Sequence, residues 1–243
     1  VFGEEAPYLR YLGLQTAAYT FRDPEIHRQL GDAFWLTDSA QRMMGLYGLR
    51  DGRVATFTVH RTDDPALPAD PRATVRETYK SLGWLVPRAL EHCPEPDQIY
   101  YDQVAQIEIP SWSRGRVVLI GDACQAVSLL AGQGASLAIA GAYVLAAQLA
   151  YADTVGDALA SYQRVWQPVV IDKQQTGRSG IEWFLPSTRS RIRLRRIMLK
   201  LAAIPGLDRY VGGAIVGKVK LSIDELAAGR QALREATSPQ PSS

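Results

Sequence analysis

The stretch VVLIGDACQAVSLLAGQGASLAIAGA, residues 117–142, decides how the rest of the chain is read. Four apolar residues run into Gly121-Asp122, and from Ala123 to Ala152 no side chain carries a charge, although three glutamines lie inside the run. Three structures accommodate such a pattern. A membrane helix has the length, since 30 uncharged residues exceed the roughly 20 needed to span a bilayer. Eleven of them are Ala, however, and Gln125, Ser128, Gln133, Ser136 and Gln148 interrupt the run. Ala offers little apolar area, and amides are costly in hydrocarbon. A core helix could use Gly132, Gly134, Ala135, Ala138 and Gly141 for close packing, but each Gly in a helix costs about 1 kcal/mol against Ala. The third structure gives Gly132 and Gly134 a reason. A strand that ends in Gly-Asp, followed by a loop and a glycine-rich helix start, presents free backbone N–H groups to a ligand without a Cβ in the way. Asp122, just past the strand, can accept hydrogen bonds from ligand hydroxyls, and open α/β sheets bind ligands at such strand ends.

The flanking sequence supplies the frame. Residues 12–62 read as strands joined by turns, with a hairpin at Arg50-Asp51-Gly52, because Asp-Gly supplies the positive φ angles of a tight turn. After the prolines at 65, 68 and 71, Val75, Tyr79, Leu82, Leu85 and Val86 mark one or two helices. Residues 99–109 alternate as a strand. Val117–Ile120 reads as a strand buried on both faces. Helices are predicted over 132–151 and over 154–177, the second kinked at Pro168. Six cations between Arg189 and Lys200 surround Ile192, Ile197, Leu199 and Leu201, which predicts a helix packed on the body with its arginines in water. The tail from Glu235 is predicted to be disordered.

Composition narrows the class of function. The chain has 243 residues, 47% hydrophobic and 21% charged, and a formal charge of +2. That charge is too small to make nucleic acid or anionic lipid the main partner. His27, His60 and His92 lack metal-ligand spacing, so no metal site is expected. Cys93 and Cys124 do not form a disulfide framework and fit a reducing cytoplasm. Cys124 reads as a small apolar filler, since no basic neighbour is present to activate it. The opening VFGEEAPYLRYLG lacks the basic start and apolar core of a signal peptide.

The stretch from Gly115 to Leu149 resembles the second FAD-binding motif of the single-component flavoprotein aromatic hydroxylases, the superfamily of para-hydroxybenzoate hydroxylase that includes aromatic-polyketide hydroxylases and tetracycline-inactivating monooxygenases. The family pattern is G-D-A-A-H-x-x-x-P-x-x-G-Q-G-x-N. The resemblance implies an α/β (α+β) fold: a mainly antiparallel substrate-side sheet, the C-terminal part of a Rossmann-like FAD domain, and C-terminal helices. It implies that Asp122 bonds the ribityl chain of FAD and that the segment comprising Gly121, Leu129, Gly132, Gln133, Gly134, Ala135 and Ser136 faces the flavin. The dipole of the helix start would stabilise negative charge on the reduced ring. The motif's usual His is Gln125 here, its Pro is Leu129, its Asn is Ser136, and a later acidic residue is Gly141. Backbone contacts survive those changes, whereas side-chain roles do not.

By the same resemblance, NAD(P)H reduces FAD, and O2 reacts through a flavin hydroperoxide to hydroxylate an aromatic or polyketide-like molecule. Tyr19, Phe34, Met43 and Tyr47 are candidates for its pocket, and no catalytic residue is identified. The family also carries G-x-G-x-x-G in an N-terminal βαβ unit, and none of the 243 residues supplies it. The expectation is a C-terminal portion of a longer flavoprotein, with the missing N-terminal portion as its partner and poor FAD retention alone. The expected division is 1–110 substrate-side sheet with helices, 111–177 flavin-facing segment, 178–233 basic helical region and 234–243 tail. A flavin-dependent oxidase of the same superfamily and a non-catalytic binding domain remain the alternatives.

Overall fold

Asp51 and Gly52 turn the chain back on itself, Gly52 at φ +81°, and the hairpin they close is the seed of the sheet. Its arms are β4 (Arg42–Gly48) and β5 (Val54–Arg61), in antiparallel register from Arg42 opposite His60 to Gly48 opposite Val54. Around them stand β1 (Leu9–Ala18), β2 (Thr20–Phe21), β3 (Trp35–Ser39) and β6 (Tyr100–Ile107). The antiparallel order is β3-β4-β5-β1-β6, with β2 paired to β5. The computed structural model describes residues 1–4, 6–128 and 132–202, with side chains up to 200. The chain divides into two compact units, Val1–Arg195 and Arg196–Ser243. The predicted tail and most of the second unit lie outside the described residues.

Alternation gives the sheet two different faces. On one face Ala17, Tyr19, Phe21, Met44, Leu46 and Val54 pack against α1 (Pro24–Leu30), α2 (Pro71–Tyr79) and α3 (Val86–Glu91). On the other, Leu14, Met43, Val59 and Val104 pack against Ile181, Phe184 and Leu185. Each of the Val, Leu, Phe and Met side chains among them, fully removed from water, contributes about 1.5–3 kcal/mol. Polar groups inside the helix-side face are paired. His60 Nδ1 lies 3.0 Å from the Tyr79 hydroxyl, and Tyr101 donates to Gln15 Oε1 at 3.0 Å. Gln15 Nε2 in turn donates to the Asp64 and Ala66 carbonyls.

Two local details depart from the sequence expectation, and a third settles a reading left open. Residues 12–62 contain a helix, α1, which the reading as strands and turns passed over. Its signal is Asp23-Pro24: Asp23 Oδ1 accepts from the Glu25 and Ile26 N–H groups at 3.0 Å, and Pro24 occupies the first turn. The helical stretch after Pro71, read as one or two helices, is two, separated near Trp84, which sits at φ +58°. The helix expected over 154–177 runs on to Phe184, from Val155, with Pro168 inside it.

The C-terminal helix corrects another expectation. In Arg189–Ala202 only some cations face water. Arg195 turns inward, donates to the Trp183 and Phe184 carbonyls at 3.0 and 2.9 Å, and pairs with Asp38. Arg191 reaches Glu182 at 2.8 Å. Unpaired carbonyls at a helix end are strong acceptors, and a guanidinium with several donors satisfies them and a carboxylate together.

Candidate functional site

Val117–Ile120 does not form a strand buried on both faces. Only Val117–Val118 is extended (β8), paired with Ser113–Arg114 (β7) as a short hairpin, and Val117 and Ile120 are 47% and 48% exposed. Burial on two faces requires sheet neighbours, and among the described residues β7 is the only partner of β8. Beyond it, Gly121 adopts φ +59°, and Asp122–Gln125 form one helical turn, α4, closed by the Gln125 N–H on the Gly121 carbonyl at 2.8 Å. The chain then crosses β6: Ile107 N–H donates to Ala126 O, and Gln106 Nε2 to Val127 O at 3.0 Å.

Helix α5 (Gly134–Tyr151) starts where the sequence placed it to within two residues. Its first turn has no side-chain cap from Gln133. Gly132 is exposed at φ +60°, and among the described residues none comes within 4 Å of where a Cβ would stand. Asp122 is exposed, and its Oδ1 lies 3.8 Å from the Cβ position of Gly134. Ala135 and Ser136 are exposed on the same first turn, and Gln133 is half-buried. Leu129 lies outside the described residues. An accepting carboxylate thus stands beside an uncapped, Cβ-poor helix N-terminus. Such an arrangement can hold a ligand's hydroxyls at the carboxylate and its electron-rich oxygens at the N–H groups.

The third glycine serves a different purpose. A Cβ on Gly141 would lie 2.6 Å from Gln125 Nε2 and from Trp166 Nε1. Gln125, at the motif's His position, is buried and donates to the Tyr162 hydroxyl at 2.6 Å. The two departures from the family pattern at 125 and 141 therefore touch, in a joint between α4, α5 and α6 (Val155–Phe184). Cys124 is buried, and its thiol is pushed up to about 12 by burial, with Gln125 and Tyr162 pulling the other way. That is an inert filler. By length and composition, α5 is the one helix among the described residues apolar enough to cross a membrane. Leu137, Gly141 and Val144 are buried, while Ile139 is 73% exposed.

The pocket candidates separate onto the two faces of the sheet. Tyr19 belongs to the helix-side core and donates to the Ala89 carbonyl at 2.8 Å, away from the others. Met43, Gly45 and Tyr47 share the opposite face, where Met43 is buried under the end of α6. The tip of the Phe34 ring rests against Gly45, whose Cβ would stand 2.4 Å from Phe34 Cζ, and its ring centroid is 5.8 Å from that of Tyr47. Phe57, opposite Gly45, extends this aromatic area. Sequence reasoning passed over Tyr100 and Asp102 on the same face, with the Tyr100 hydroxyl 3.0 Å from Asp102 Oδ2. Their shared parity with Val104 was the signal that could have found them.

Comparison with known proteins gives this geometry a context. The family described as FAD binding domain matches residues 9–172. A flavin-dependent monooxygenase from an unknown prokaryotic organism is 42% identical over 103 residues, 41% of this chain and 26% of the relative. A second, also from an unknown prokaryotic organism, is 29% identical over 182 residues, 73% of this chain and 46% of the relative. Among solved structures, tetracycline destructase Tet(51) is 25% identical with a TM-score of 0.65, covering 82% of this chain and 55% of its own. The chain therefore spans half or less of the length of these two curated relatives.

Proposed function

Because the chain belongs to the FAD binding domain family, we propose that it is the flavin-facing and substrate-facing part of an FAD-dependent monooxygenase acting on an aromatic or polyketide-like small molecule. The observation that carries this reading is the exposed Asp122 carboxylate beside the uncapped start of α5, with Gly132 and Gly134 leaving the approach open. Residues of these types fit the flavin end of FAD. Asp122 accepts hydrogen bonds from the ribityl hydroxyls. The N–H groups of Gly134, Ala135 and Ser136 meet the electron-rich edge of the ring, and the Gly121 and Gln133 backbones shape the turns on either side. Bound FAD, reduced by NAD(P)H, supplies transfer of an oxygen atom from O2 to the substrate. This chain's own contribution is to orient the ring system over the sheet and keep water from it.

The ADP half of FAD needs a second element. We assign it to an N-terminal portion of the same protein carrying the glycine-rich βαβ unit, whose strands would cover the exposed Val117 and Ile120. A cytoplasmic location fits the two free cysteines. Two measurements follow. The 243-residue chain mixed with FAD and then desalted is expected to keep little flavin absorbance, and stoichiometric retention would show that it holds the whole cofactor by itself. In the full-length flavoprotein, Asp122→Ala is expected to weaken FAD binding by roughly 10- to 100-fold, through loss of a charge-assisted hydrogen bond. Unchanged affinity in a fluorescence titration would reduce Asp122 to a turn residue.

A further inference from the structure

A groove of about 350 Å³ lies where the end of β6 and the segment after it meet α6, and neither Asp122 nor the start of α5 lines it. Its apolar walls are aliphatic, with Ile107, Ile109 and Pro110 on one side and Val170 and Ile171 on the other. Ile171 is 43% exposed, whereas the indole of Trp112, also in the lining, is buried and offers no open ring face. The bordering glutamines of α6 spend their amides on the opposite wall. Gln167 Nε2 donates to the Ile109 and Pro110 carbonyls at 3.4 and 3.3 Å, and Gln174 Nε2 to the Ile107 and Ala126 carbonyls at 2.8 and 3.0 Å. The two walls are thus tied together without an occupant.

The charged part of the lining is a single cluster. Arg10, at the start of β1, and Arg178, on α6, converge on Glu108, so two cations share one anion. Each guanidinium reaches Glu108 through Nη1. Arg10 lies 3.2 Å from both oxygens, and Arg178 lies 2.7 Å from Oε1 and 2.6 Å from Gln106 Oε1. Arginine carries five N–H donors in a planar fork, so Nε and Nη2 of both residues are donors that these bonds do not use. We propose that the groove binds a small aliphatic carboxylate, held at its head by Arg10 and Arg178 and along its chain by the aliphatic walls. One excess positive charge matches one carboxylate, and the guanidinium fork matches carboxylate geometry. The volume stands at the lower end of small-molecule sites, which suits a single short chain and not a helix or strand of a partner. This site is independent of the flavin reading. A plain surface ion network, which contributes little to stability, would not distinguish an acid from an alcohol of the same length.

Calorimetric titration of the 243-residue chain with octanoate and with 1-octanol at neutral pH makes that distinction. Wild type is expected to bind octanoate at least about tenfold more tightly than octanol, the worth of a charge-assisted hydrogen bond. Arg10→Gln and Arg178→Gln are each expected to remove most of that preference and leave octanol affinity unchanged. Arg10 is half exposed, so its loss leaves the fold intact. Glu108→Gln keeps both arginines, removes the competing carboxylate and should strengthen octanoate binding. Ile171→Asp, on the exposed wall, should weaken both probes. The full-length flavoprotein saturated with FAD is expected to keep the preference. Equal binding of the two probes, binding of neither, or a preference that survives loss of either arginine overturns the proposal. So does octanoate binding that is present in the 243-residue chain and lost in the full-length protein, because the groove would then be a surface that the rest of the protein covers.

Discussion

Gly141→Ala is expected to destabilise the fold by about 1 kcal/mol and Gly141→Val by about 3 kcal/mol, whereas Gly180→Ala should stabilise it by about 0.5–1 kcal/mol. Both glycines lie inside helices, so replacing either with Ala brings the same gain in helix propensity. They differ in what a side chain would meet. Around Gly180 no described residue comes within 4 Å of an added Cβ, so the propensity gain stands unopposed. At Gly141 a methyl group would overlap Trp166 Nε1 and both ends of the Gln125 amide, at 2.6–2.7 Å. A glutamine tip ordinarily swings aside at little cost, but this one is held by Tyr162 at 2.6 Å, and the buried indole cannot bend. Overpacking of this kind costs typically 1–3 kcal/mol and exceeds the propensity gain. Val adds two further methyl groups and is stiff in a helix, which enlarges the loss. Urea midpoints at constant slope read all three variants. Equal stabilisation by Ala at 141 and at 180 would show that the joint between α4, α5 and α6 gives way freely.

The same glycine shows where the sequence was legible and where it was not. Gly132, Gly134 and Gly141 look alike in one uncharged run, and only tertiary neighbours divide them into two that leave a ligand approach open and one that makes room for Trp166. Features set by near neighbours in the chain were readable: the Asp51-Gly52 turn, the alternation of β6, and the break before α5. Local signals also existed for α1, in Asp23-Pro24, but the strands on either side drew the reading toward a turn. Other features depend on partners that a local pattern does not name. Arg195 looks like any water-facing arginine until Asp38, 157 residues away, is seen to receive it. Alternation predicts that Met43 and Met44 point to opposite faces, but not which face meets the helices or that Tyr19 belongs with Met44. The apolar run Val117–Ile120 correctly announced a strand-like segment, yet its burial depends on neighbouring strands that the run cannot specify.

Acid is expected to unfold the chain earlier than its carboxylates alone would allow, and the cause is His60. The imidazole sits in the helix-side face of the sheet between Tyr79 and Tyr101, and burial, aided by Arg42, lowers its pKa from 6.5 to about 4. In the unfolded chain the same ring takes up a proton at its ordinary value. Above pH 6.5 both states are neutral and stability does not depend on this group. Between pH 6.5 and 4 the unfolded state binds a proton that the folded state resists, so stability falls as the pH drops, by about 3 kcal/mol over the window. Glu182 behaves differently. Its burial is outweighed by the Ser187 N–H and hydroxyl and by Arg191 and Arg61, leaving it at about 2. Its stabilisation is lost only as the pH falls from about 4.5 toward 2, below most of the histidine window. His60→Gln keeps a neutral polar group of similar reach and removes the titration. Urea unfolding free energies measured from pH 7 to 4.5 should therefore fall steeply in the wild type and stay nearly level in the variant. Parallel slopes in the two proteins would mean that His60 is protonated in the folded state as readily as in the unfolded one. The Tyr79–His60 contact at 3.0 Å would then have to be read as a bond to a charged ring.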